Sequence, residues 1–143
     1  MHWKNSLQKA ADGCIRNRKG THYPENPVFP GFCDYEVMKM NILGTDYELI
    51  KDCDELTERN VDGECQSYGK VIRIRPLKKM LLPVDSDAIK QRRYNEVVRH
   101  KVIHAFFHES GLDGYSADEQ LVDWLAMQFP KMYRLFKEHE VLE

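Results

Sequence analysis

The stretch from Ser86 to Gly111 constrains this chain most. It has no proline, opens on the good N-cap types Asp85 and Ser86, and carries no glycine before Gly111. Its apolar positions are Ile89, Tyr94, Val97, Val98, Val102, Ile103, Ala105, Phe106 and Phe107. The pattern predicts one amphipathic helix from near Asp85 or Ser86 to about Ser110, with Gly111 as its stop. At about 1.5 Å per residue it is roughly 37 Å long, so the rest of a domain must be built along it. Its apolar stripe widens toward the C-terminal half, which predicts burial of the last turns, where His100 and His104 lie. A second helix is expected from Ser116, carrying Leu121, Val122, Trp124, Leu125, Met127 and Phe129, with Pro130 kinking or restarting it.

The segments before the helices read as strands. "MNILGTDYELI", Met40 to Ile50, is an apolar strand-like run broken by Gly44. "VDGECQSYGKVIRIRPL", Val61 to Leu77, looks like a hairpin: Asp62-Gly63 and Ser67 to Gly69 are turn formers, and Val71, Ile72 and Ile74 alternate with Lys70, Arg73 and Arg75. Pro76 ends that strand or marks a sheet edge. The fold class is therefore α+β, with a small, mostly antiparallel sheet of about three strands packed with two main helices. Residues 1–37 differ, with Pro24, Pro27 and Pro30 in a turn-rich, aperiodic stretch. They are expected to form an irregular N-terminal extension to a domain over 38–143, with Met38 or Met40 as a candidate native start.

Composition excludes several classes. The 143 residues are 42% hydrophobic and 31% charged, with a formal net charge of −2, as in ordinary globular domains and without a global pull toward nucleic acid. Ten basic residues between Lys70 and Lys101 face only Asp85, Asp87 and Glu96. A solvated strand and helix face is the preferred reading of that run over a polyanion-binding patch. No apolar run has the length of a membrane span, and the N-terminus lacks the apolar core of a secretion signal. Cys14, Cys33, Cys53 and Cys65 form no Cys-x-x-Cys pair. Reduced thiols and a cytoplasmic location follow as expectations, and spacing does not support a cysteine zinc site.

Chemistry concentrates in "RHKVIHAFFHESGL", Arg99 to Leu112, and "SADEQLVDW", Ser116 to Trp124. Residues four apart lie about 40° apart around a helix, so His100 and His104 can point at one ion, while Lys101 projects about 100° from His100. A catalytic zinc takes three protein ligands, and Glu119 on the next helix is the candidate third. Asp123, one turn on, is placed to accept the free ring N–H of a ligand histidine. Other readings stand beside these. Ser116 and Glu119 also fit a capping box, Asp123 also fits an exposed carboxylate, and His104 with His108 is a second register for the pair. Tyr115 fits either a contact to a developing oxyanion or, by preference, surface packing or a loop hydrogen bond. Phe106, Phe107, Trp124, Phe129 and Phe136 are expected in the core.

These two segments together resemble the core of small prophage-type zinc metallopeptidase-like proteins of the minimal gluzincin kind, whose pattern is an R-H-E-x-x-H-A-F helix followed by an E-x-x-x-D-W helix. The resemblance covers roughly Met38 to Phe136. It implies a zincin-like domain of prophage or mobile-element origin, with an edge strand bordering a cleft and one Zn2+ between two helices. His100, His104 and Glu119 match the metal ligands and Asp123 the acid behind them, and a peptide or protein is the implied substrate or partner.

One position departs from the family. The glutamate after the first histidine, which acts as general base, is replaced by Lys101. A charged ammonium cannot accept a proton, and loss of a placed base costs about 10²- to 10⁴-fold in rate, or about 2.7 to 5.4 kcal/mol of barrier. Glu109 lies about 180° around the helix from His100, and Glu96 sits one turn before it, displaced along the axis. The residues therefore point to metal binding with hydrolysis weakened or lost, or to a non-catalytic zinc-stabilised protein that holds a host or phage partner.

Overall fold

The computed structural model describes residues 36–82 and 86–143. The expected extension over 1–37 therefore lies outside the described residues, apart from its last two. β1 (Val37–Ile42) and β2 (Thr45–Ile50) are antiparallel and joined by a two-residue turn. Leu43 and Gly44 both have positive φ, 50° and 88°, which matches the right-handed twist of a tight hairpin. A Cβ on Gly44 would meet nothing within 4 Å, so the backbone angle, not crowding, is what asks for glycine there. Gly44 is thus a turn between two strands, where one broken segment was expected. Tyr47 and Leu49 alternate inward with Asp46 and Glu48 outward along β2.

The short helix α1 (Glu55–Glu58) leads into β3 (Gly63–Gln66) and β4 (Val71–Ile74), the expected hairpin. β4 inserts beside β2 in parallel, which gives the order β1-β2-β4-β3. The sheet has four strands and is mixed, where about three mostly antiparallel strands were expected. The parallel pairing depends on the crossover through α1, which carries no periodic signature of its own. Pro76 ends β4, a central strand, and a 3-10 turn follows at Leu77–Lys79.

α2 (Asp87–Glu109) has Ser86 as its N-cap residue, and Gly111 beyond its end has a φ of +69°. Its sheet-facing side contributes Val97 and Ala105 to a core with Ile42, Tyr47, Leu49, Ile72, Ile74 and Met80. After the short α3 (Asp113–Ser116), α4 (Glu119–Glu138) packs on α2 through the fully buried Val122 and Ala126. Those small side chains make a narrow seam. Phe106, Trp124, Phe129 and Phe136 are consequently exposed and Phe107 only half-buried, against the expectation of core. Among the described residues no helix is long and apolar enough to cross a membrane.

Candidate metal centre

α2 and α4 place the chemistry-bearing residues face to face. His100 Nε2 lies 2.8 Å from His104 Nε2 and 3.1 Å from Glu119 Oε2, and His104 Nε2 lies 3.5 Å from Glu119 Oε1. A tetrahedral zinc site with bonds of about 2.0–2.1 Å separates its ligand atoms by about 3.3 Å; the two histidine–glutamate distances bracket that spacing, and the 2.8 Å between the histidines is shorter than it. The three residues form a group that can hold a metal ion.

The other ring nitrogens show what the converging atoms are. His100 Nδ1 is 2.8 Å from Asp123 Oδ1. A carboxylate only accepts, so this Nδ1 carries the hydrogen and Nε2 keeps a lone pair. His104 Nδ1 is 3.3 Å from Ser116 Oγ, whose hydroxyl donates to the His104 carbonyl oxygen at 3.3 Å. With that hydroxyl proton on the carbonyl, Nδ1 is left as the donor, the tautomer that turns the second Nε2 lone pair toward His100 Nε2. Burial, then His100 and Lys101, holds the His104 pKa below its ordinary value, which favours the neutral ring. Two lone pairs and a carboxylate thus point at one place.

The register of the two helices has its own device. Pro130 lies inside α4 and has no N–H, so the Ala126 carbonyl four residues earlier lacks its helical donor. Arg99, the residue before His100, donates its Nε–H to that carbonyl at 2.7 Å. A side chain of the histidine helix therefore grips the glutamate helix where the glutamate helix has a free acceptor. This is why α4 runs on through Pro130 with its backbone satisfied.

Some alternatives separate cleanly. The N-cap of α4 is Asp118, whose Oδ1 accepts from Leu121 N at 3.1 Å, so Glu119 is free to face the histidines and the capping box does not form. His108 turns away to Asp113 at 2.7 Å and stacks edge-on with Tyr68, so the pair His104 and His108 is not formed. Tyr115 is exposed and packs on Phe107. Sequence reasoning missed Ser116 as the partner of His104 and Arg99 as the tie to Ala126. Pro130 was the available sign of the second, since an interior proline always orphans a carbonyl.

Two clefts flank the centre along the edge strand β3. One of about 280 Å³ is lined by Gly63, Arg93, Glu96, His100, Lys101 and Asp123 among others. The other, about 620 Å³, lies by Cys65, Gln66, Tyr68, His108 and Ser116. Within the basic run, ion pairs join Lys70 to Glu109, Arg73 to Glu64, Lys79 to Asp54 and Arg93 to Asp62 and Glu96. Cys53 and Cys65 are free thiols outside the donor group, and burial pushes both pKa values up.

Comparison with protein families, with curated proteins and with solved structures found no match.

Proposed function

We propose that this chain is a zinc-binding, zincin-like domain of the metallopeptidase type in which peptide-bond hydrolysis is weakened or lost. The observation that carries this is the convergence of the two Nε2 lone pairs and the Glu119 carboxylate, with both Nδ1 atoms anchored. A proton on one ring would satisfy only part of that arrangement, and burial of His104 opposes it. A dication satisfies all three donors at once. Two imidazoles and one carboxylate suit zinc, and zinc in such a set supplies Lewis acidity toward a carbonyl.

Lys101 bears on hydrolysis. It shares a cleft with His100, and no carboxylate of that cleft stands free to act as base. Asp62 and Glu96 are paired with Arg93, and Asp123 holds His100. The same observation favours a second reading, a zinc-stabilised binding or regulatory protein that holds a peptide or protein partner in the cleft. Both readings require about one zinc per chain by elemental analysis, lost in His100→Ala and Glu119→Ala; a folded chain without zinc would sink both. Lys101→Glu separates them. Chelator-sensitive cleavage gained on a broad peptide library supports the disarmed peptidase, and its absence supports the binding protein.

A further inference from the structure

We propose that the open side of the His100–His104–Glu119 centre is a carboxylate receptor, with Lys101 supplying its second cation. This rests on the zinc reading above. Three protein donors leave a coordination position free, and the cleft beside His100 is walled by Lys101. The charges of that wall can be counted. Asp62 accepts from Leu81 N and Arg93, Glu96 accepts from Arg93, and Asp123 accepts from His100. Lys101 is left over: among the described residues it has no hydrogen-bond or ion-pair partner.

Its position is built. A Cβ on Gly63 would stand 3.2 Å from Lys101 Cγ and 2.7 Å from Val97 Cγ1, so the bare glycine of the edge strand gives the lysine stem its seat. Counted over the whole wall the charges balance, but at the ion itself the single Glu119 carboxylate leaves one positive charge of a dication, and Lys101 brings its unpaired ammonium into the same cleft. The open position between those two cations suits an anion. Carboxylates already line the cleft at Asp62, Glu96 and Asp123, so a singly charged ligand is repelled less than a phosphate dianion. A carboxylate also has two oxygens, one for the metal and one for the ammonium.

The test is calorimetric titration of the zinc-loaded full chain with three probes. These are an acetylated tripeptide with a free C-terminus, the same peptide amidated, and an amidated peptide with one internal glutamate. A carboxylate probe should bind about ten- to a hundredfold more tightly than the neutral amide. Lys101→Met should remove most of that difference while zinc content and thermal unfolding stay unchanged. A preference for the free C-terminus assigns chain ends as the ligand, and a preference for internal glutamate assigns acidic side chains; either supports the receptor. Equal binding of carboxylate and amide, or a difference that survives Lys101→Met, overturns it while the zinc reading stands. A chain that takes up no zinc overturns both.

Discussion

Two polar clusters occupy opposite sides of α2, and they are balanced in opposite ways. Toward the sheet, the Glu109 carboxylate receives Thr45 Oγ1 at 2.8 Å, Tyr47 Oη at 2.7 Å and Lys70 Nζ at 2.5 Å. Every donor there meets an acceptor, and a cation meets an anion. Toward α4, the His100 and His104 Nε2 atoms converge with the carboxylate of the exposed Glu119. The first cluster docks a helix on a sheet and is complete with the chain's own atoms, whereas the second is a group that could hold a metal ion. A buried polar group becomes a candidate site through its imbalance of donors and acceptors, not through its number of titratable residues.

The comparison can be broken most decisively with zinc itself. At a hundred times its dissociation constant, zinc should stabilise the wild-type fold by about 2.7 kcal/mol and leave His104→Ala unmoved in thermal unfolding. A similar rise in His104→Ala would place the ion elsewhere. Next in size is Arg99→Met, which strands the Ala126 carbonyl and should cost about 2 kcal/mol in denaturant unfolding. In a Pro130→Ala background, where the missing amide donor returns, that cost should shrink; a penalty independent of residue 130 would refute the tie. Asp123→Asn should weaken zinc binding about tenfold in a competition titration, or about 1.4 kcal/mol, by loosening His100.

The balanced cluster should show itself in the pH dependence of stability. Lys70, then Tyr47 and Thr45, holds the Glu109 carboxyl at about 2, below its usual value of about 4.3. Between those values the unfolded chain takes up a proton that the folded one refuses, so the contribution is whole above about pH 4.3 and fades as pH falls toward about 2. Zinc-free protein should show this acid limb, and Glu109→Gln should flatten it. If the limb is unchanged in Glu109→Gln, another carboxylate carries it.

How much was legible depends on the range of the interaction. The helix start at Ser86, the stop at Gly111 and the β3–β4 hairpin are local, and each was readable from a few residues. The four-residue spacing of His100 and His104 was readable for the same reason. Gly44 was visible as a break, but whether one strand or two resulted depended on Asn41, whose Oδ1 receives Gly44 N at 3.0 Å and whose amide reaches Asp46. Misreadings came where neighbours compete. Ser116 looked like a helix start, yet Asp118 took the cap and left the serine to His104. The aromatic residues of α4 looked like core because they are large and apolar, but a helix with one main neighbour buries only one narrow stripe.

By itself the sequence determined which donors exist and which of them share a helix face, because helical periodicity is a property of the backbone. It also determined that a lysine, residue 101, follows the first histidine of the pair. Only the tertiary structure decided that Glu119 and Asp123 reach the histidines at 3.1 and 2.8 Å. That reach depends on how closely and in what register two helices lie. Here Val122 and Ala126 are small enough to let the helices approach, and one carbonyl freed by Pro130 gives Arg99 something to hold.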